Sequence, residues 1–278
     1  MDEYIIGSKL LVRYYAATTL RYAVLIAFSL FFTCSAADKD VPIKTIERIK
    51  RSVVPIVCGY IDEQHRFQVV AIAGSGFFVD LLGRFITAGH VLDNWQNISR
   101  TRHACGPSIY IPDHGWKNYE QAITFQSFTF INCARDATVD LAVCQPIENP
   151  FTSRRISRDL IASVAFDAQA WPEGMPVAFT GFPLEFVFPI TSKGNVAGHA
   201  RIEGRQANFD YIIDKAAWPG ASGSPIYLSN GKVVGIILRA GRNEGSGLAF
   251  GRSAAVIVDF LTQHPATHPE QQHPTPQH

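Results

Sequence analysis

A succession of short β-rich stretches, separated by glycine, proline and charged turns, is the feature that most narrows the fold of this chain. The first set is Val54–Tyr60, Arg66–Ala73, Gly76–Asp80, Arg84–Ala88, Ser108–Ile111, Ile123–Ile131 and Thr138–Val143. The second is Val177–Gly181, Phe186–Thr191, Ala197–Ile202, Tyr211–Asp214, Pro225–Leu228 and Lys232–Leu238. Many short strands with turn residues between them predict an all-β barrel or sandwich. The segment from Pro150 to Gly174 has charges and no clean periodicity, and it reads as the connector between two halves. Helices are expected only at the margins. Ile43, Ile46 and Ile49 recur every three residues, and Ser253–Leu261 places Ala254, Ile257, Val258 and Leu261 on one face.

A length of 278 residues predicts about two compact units at roughly 150 residues each. With 47% hydrophobic and 18% charged residues there is material for a core, which excludes an intrinsically disordered chain. The net charge of +1 supplies no field to gather nucleic acid or an anionic membrane surface, so neither is an expected partner. The 21 glycines and 16 prolines are scattered, not periodic, which rules out collagen-like sequence. No repeat of solenoid or propeller length is visible.

The two ends are different material. Lys9, Arg13 and Arg21 precede an apolar stretch from Tyr22 to Phe32, and small residues follow at Cys34, Ser35, Ala36 and Ala37. That order reads as a secretory signal peptide over 1–37, with a membrane contact only if the segment is retained as an anchor. Phe31-Phe32-Thr33-Cys34 is a poor lipoprotein acylation site. The exported body is then 38–262, with barrel one over about 52–149 and barrel two over about 175–252. Residues 263–278, rich in Pro, Gln and His, read as a disordered tail. Removing the leader leaves Cys58, Cys105, Cys133 and Cys144, which fit either two disulfides or four buried thiols, and sequence cannot choose the pairing.

Three segments carry chemistry. Phe85-Ile86-Thr87-Ala88-Gly89-His90-Val91-Leu92 sets a histidine just beyond an apolar strand. Thr138-Val139-Asp140-Leu141-Ala142-Val143 sets an acid in the middle of one. Pro219-Gly220-Ala221-Ser222-Gly223-Ser224-Pro225 sets a serine in a glycine-rich turn. Each alone has a bland reading as a strand end or a turn. Asp140 is the exception, because a buried carboxylate is costly without a hydrogen-bonding partner, and an imidazole N–H is one. Together they supply a nucleophile, a base and an orienting acid.

His90 in TAGH, Asp140 in DLAV and Ser222 in GASGSP, in that order, resemble the chymotrypsin-like (trypsin-fold) serine peptidases, and bacterial HtrA-type members more closely. Asp214 to Ser222, Gly231 to Ile236 and Gly247-Leu248-Ala249-Phe250 resemble the segments around that family's nucleophile, and Gly223-Ser224-Pro225 is also similar to the ending in bacterial glutamyl endopeptidases. The resemblance covers roughly Ile46 to Leu261, strongest at the three segments. It implies two six-stranded β-barrels with a short C-terminal helix and a site in the cleft between the barrels. It implies an exported, periplasmic or secreted, serine endopeptidase acting on peptide or protein substrates, with no cofactor and no metal. Ser222 would attack, His90 would be the base, Asp140 would hold the imidazole, and the N–H groups of Gly220 and Ser222 would form the oxyanion hole. Ser224 and Asp136 are weaker candidates for nucleophile and acid.

Departures from the family are as informative. Where digestive members carry an acid just before the nucleophile, this chain has Ala221, so no new N-terminal ammonium can be paired there. Ala216 or Ala217 stands where trypsin keeps its pocket acid, and Ile237 follows Gly235-Ile236 where glutamyl endopeptidases have a histidine. Those three residues predict an uncharged specificity pocket. The contrasting expectation is an inactive protease-like module that holds a partner in its cleft or by its tail, against which the intact set of three residues argues.

Overall fold

The computed structural model describes residues 40–101, 105–116, 124–201, 209–241 and 247–266. The leader at 1–37, the strand ends at Ile123 and Ile202 and most of the tail lie outside these residues. Helix α1 spans Ile43–Lys50 and leads into strands β1 Val53–Ile61, β2 Phe67–Phe78 and β3 Phe85–Ala88. Helix α2, Gly89–Thr101, follows, and then β4 Gly106–Pro112, β5 Phe125–Asp136 and β6 Leu141–Pro146. The second half carries β7 Pro176–Gly181, β8 Ile190–Arg201, β9 Phe209–Ile213, β10 Pro225–Tyr227, β11 Val233–Ala240 and β12 Ala249–Ser253, closed by helix α3, Ala254–Gln263.

The strands close two barrels in the orders β1-β2-β3-β6-β5-β4 and β10-β11-β12-β9-β8-β7. All the ladder pairings are antiparallel, as expected where neighbours are joined by short turns. Apolar alternation is blurred because the first seven residues of β1 are all buried, some facing into the barrel and others under the helices and the opposite half. One core holds Phe77, Phe85, Ile109, Phe128 and Leu141 together with Tyr227 and Ile257, so it runs between the barrels. A second, around Val177, Tyr211, Ile226 and Ile237, fills barrel two.

Four local expectations are corrected by the structure. Arg66–Ala73 and Gly76–Asp80 are one strand, β2, because Gly74 and Gly76 mark close approaches and no turn. A Cβ on Gly74 would lie 2.6 Å from Val91 Cγ2, and one on Gly76 would lie 2.9 Å from the Ile86 carbonyl oxygen. A helix away from the margins, α2, follows Ala88, and its Leu92, Trp95 and Ile98 pack on the core at helical spacing. In α1, Ile49 is buried while Ile43 is 73% exposed, because a three-residue repeat drifts round a helix of 3.6 residues per turn. Asp140 lies in the turn before β6, not within a strand.

The cysteines are paired as Cys58–Cys105, joining β1 to the entry of β4, and Cys133–Cys144, joining β5 to β6. Their sequence separations are 47 and 11 residues. On chain-entropy grounds the first bridge contributes about 4 kcal/mol and the second about 3 kcal/mol, through the unfolded state. Replacing Cys58 and Cys105 by serine is therefore expected to lower the urea midpoint more than replacing Cys133 and Cys144. Equal midpoints for the two double variants would show that the loop-length argument does not govern this barrel.

Candidate active site

Gly89 and His90 open α2 just after β3, and the turn at Asp140 meets them from the β5–β6 hairpin. The Gly89 N–H donates to the Asp140 carbonyl oxygen at 2.9 Å, and the His90 N–H donates to Asp140 Oδ1 at 2.9 Å. His90 Nδ1 lies 2.8 Å from Asp140 Oδ2. The carboxylate thus satisfies a free N–H at the first turn of α2, where the helix dipole also favours negative charge. Its backbone has φ +54°, a left-handed conformation that aspartate tolerates better than most residues. With Nδ1–H donated to the carboxylate, the tautomer assigned to His90 leaves Nε2 as the acceptor.

Burial pushes the Asp140 carboxyl upward. The hydrogen bond from the His90 ring, the charge of His90, the His90 N–H and the charge of Arg252 outweigh it and hold the group below the usual carboxylate range. Sequence reasoning did not single out the cations nearby. Arg252 on β12 forms a buried ion pair with Asp210 on β9, Nε to Oδ1 at 3.2 Å, in a register that sets the two residues opposite each other. Arg135 on β5 grips Asp93 on α2 with two bonds, Nη1 to Oδ1 and Nη2 to Oδ2, each 2.6 Å. That fork ties the hairpin carrying Asp140 to the helix carrying His90. The only local signal in the sequence was Asp93 one helical turn beyond His90.

Ser222 stands in the turn between Ala221 and β10. Gly223, at φ +88°, donates its N–H to the Ile237 carbonyl at 2.7 Å, and the Ile237 N–H returns to Ser224 at 2.8 Å. The Ser75 N–H donates to the Ser222 carbonyl at 2.8 Å, which ties the turn to barrel one. A Cβ on Gly74 would touch both Val91, next to His90, and the Ser222 carbonyl oxygen, so the turn and the start of α2 converge across that glycine. The Ser222 hydroxyl itself donates to the Leu238 carbonyl of β11 at 2.9 Å. Among the described residues the imidazole is bonded to Asp140 and the Ser222 hydroxyl to Leu238, with no hydrogen bond between the two side chains. Ligand-free sites often hold such a bond open until substrate arrives.

Gly220 has φ +89°, and a Cβ there would lie 2.4 Å from the Phe182 carbonyl oxygen, so glycine is required on both counts. Ala217 and Ile237 belong to the core of barrel two, while Ala216 is half-buried beside them. Ser224 is fully buried, facing Gly181, away from the cleft surface. Two cavities flank the turn. One of about 320 Å³ is lined by Ile72, Asn94, Asn97, Leu184 and Gly220. The other, about 240 Å³, is lined by Phe179, Pro183, Phe186, Lys215, Trp218 and Ala221. Ala221 puts no charge into it, whereas Lys215 does. A larger cavity of about 830 Å³, between α1 and Trp116, touches none of these residues.

Comparison with protein families matches the trypsin-like peptidase domain over residues 74–236. Among solved structures, the active form of the Rv3671c protease from M. tuberculosis is 19% identical, with 81% of this chain and 86% of that chain covered and a TM-score of 0.56. An inactive form of the Rv3671c protease is 18% identical, with 80% and 93% covered and a TM-score of 0.56. The HtrA-type protease AlgW with a decapeptide is 15% identical, with 79% and 66% covered and a TM-score of 0.57. At these identities the likeness shows the fold. Comparison with curated protein sequences gives no match.

Proposed function

We infer, for a chain that belongs to the trypsin-like peptidase domain family, that it is an exported endopeptidase working through His90, Asp140 and Ser222. The chain is a serine peptidase; the assignment of its machinery rests on the two bonds from His90 to Asp140. Ser222 Oγ attacks the scissile carbonyl while His90 Nε2 takes its proton. The oxyanion accepts the N–H groups of Gly220 and Ser222. His90 then delivers the proton to the leaving amine, and water repeats the sequence to hydrolyse the acyl-enzyme. Asp140 stabilises the imidazolium that forms in each half. Export is supported by the basic-then-apolar leader and by two disulfides, which persist in oxidising compartments.

Labelling with a fluorophosphonate tests this reading, since only an activated serine reacts. Labelling of the wild type but not of a Ser222→Ala variant supports it. An unlabelled wild type would leave the inactive binding module, and N-terminal sequencing of the exported protein distinguishes a cleaved leader from an anchor.

Specificity is assigned to an uncharged pocket base of half-buried Ala216 over the buried Ala217 and Ile237, beside the cavity that Ala221 and Trp218 line. An Arg or Lys side chain placed there would be desolvated with no opposite charge to meet it, and Lys215 in the lining of the cavity beside Ala221 adds like charge. A peptide-library profile is expected to favour Val, Ala or Leu before the scissile bond. Dominance of Arg and Lys, or of Glu, would refute the pocket assignment.

A further inference from the structure

Ala221, just before the nucleophile, carries no charge and so offers no ion pair to order the loop that carries Gly220. The polar group occupying that neighbourhood is Ser75, in the middle of β2 and fully buried. Its hydroxyl donates to the Gly220 carbonyl at 2.8 Å and accepts the Phe182 N–H at 2.9 Å. Its N–H donates to the Ser222 carbonyl at 2.8 Å, and its own carbonyl accepts the Thr87 hydroxyl at 2.6 Å. Every polar atom of this residue is therefore used, and two of the bonds end on the residues assigned to the oxyanion hole.

The bonds fix orientation as well as place. A peptide group is planar and trans, so holding a carbonyl on one side points the neighbouring N–H to the other. The peptide before Gly220 is held by the Leu184 N–H, which donates to the Pro219 carbonyl at 2.7 Å. The peptide after Gly220 is held by the Ser75 hydroxyl. Phe182 and Leu184 belong to one strap, the segment around the 3₁₀ turn Pro183–Glu185, and Ser75 joins that strap to the loop. Rotation of the peptide after Gly220 would break its bond to the fully buried Ser75 hydroxyl, where an unmade bond is costly.

We propose that the Ser75 hydroxyl is a positioning group, a neutral latch that fixes the peptide after Gly220 and ties it to the strap whose Leu184 N–H holds the peptide before it, so that the Gly220 N–H keeps its oxyanion-binding orientation in place of a buried ion pair. The inference rests on the triad reading above. Both partners of the hydroxyl are backbone groups without charge, so the latch neither awaits a freed N-terminus nor titrates.

The test compares Ser75→Ala, Ser75→Cys and Thr180→Val in the full chain. Thr180 serves as the structural control, since its hydroxyl is also buried, bonding Thr191 and Tyr227 at 2.8 and 2.7 Å away from the loop. Steady-state rates on a chromogenic peptide and inhibition by the matching peptide aldehyde are measured, with thermal unfolding alongside. Ser75→Ala is expected to lower kcat about ten- to a hundredfold, less than outright loss of an oxyanion donor, with KM within about twofold. Aldehyde affinity should fall by the same factor as kcat, because the hemiacetal oxygen occupies the same hole. Ser75→Cys, with a weak donor in place, should recover part of the loss and covers the case in which the alanine variant does not fold. Thr180→Val should keep wild-type kcat even if it unfolds earlier. A Ser75→Ala enzyme with kcat within twofold of wild type, or a Thr180→Val enzyme that loses as much, overturns the latch while the triad stands. A wild type that is neither labelled nor active overturns the triad reading, and the latch with it.

Discussion

Ser222→Ala and His90→Ala are each expected to lower peptide hydrolysis by about four to six powers of ten, the range in which triad members act as a unit. The two losses should not add. Once the hydroxyl is gone there is no proton for His90 to take, and once the base is gone the hydroxyl remains a weak nucleophile held by the Leu238 carbonyl. A double variant should therefore be about as slow as either single one, with residual rate from the oxyanion site alone. Ser224→Ala supplies the contrast. That side chain is buried against Gly181, its hydroxyl has no hydrogen-bond partner among the described residues, and its removal should leave turnover within about threefold. Active-site titration alongside the rate measurement keeps folding losses apart from chemical ones. Near-normal turnover in Ser222→Ala, with loss in Ser224→Ala, would reverse the assignment of the nucleophile.

The barrels were legible because strand after strand carries β-branched and aromatic residues between glycine or proline turns, a signal each segment states by itself. The three chemical segments were legible because each pairs a reactive residue with small neighbours. What escaped was non-local. Nothing near Ser75 in the sequence says that its hydroxyl meets the carbonyl of Gly220, since that bond spans 145 residues. Gly74-Ser75-Gly76 reads locally as a turn, and only the packing of Val91 and Ile86 against those glycines explains a continuous strand there. The Arg252–Asp210 pair was hidden for a similar reason, because the register of β12 against β9 creates it. The apolar neighbours Val139 and Leu141 predict a strand through Asp140, and both are buried, yet its left-handed backbone ends the hairpin turn at that residue. Apolar flanks report burial, and burial alone does not distinguish a strand from a packed turn.

That turn makes Asp140→Asn a clean substitution, and it is expected to lower kcat about ten-thousandfold. Asparagine tolerates the left-handed conformation as aspartate does, and its amide oxygen can still accept the His90 N–H that opens α2. The change falls on the second contact. An amide nitrogen donates where a carboxylate oxygen accepted, so the ring is bonded best with Nδ1 unprotonated, and Nε2 then carries the hydrogen and cannot take one from Ser222. The imidazolium that forms during reaction also loses its counter-charge. The effect on stability has a definite sign. Because the folded carboxyl lies below its unfolded value of about 3.9, it stabilises the fold fully above that pH and loses the contribution as pH falls through the lower folded value. Urea unfolding of Asp140→Asn should therefore be less pH-dependent than that of the wild type between about pH 5 and the folded value. Asp136→Asn, in the same hairpin and bonded to the Thr138 N–H, should retain turnover within about threefold. A rate for Asp140→Asn within tenfold of wild type, or a collapse on changing Asp136 instead, would mean that the imidazole is oriented by some other group.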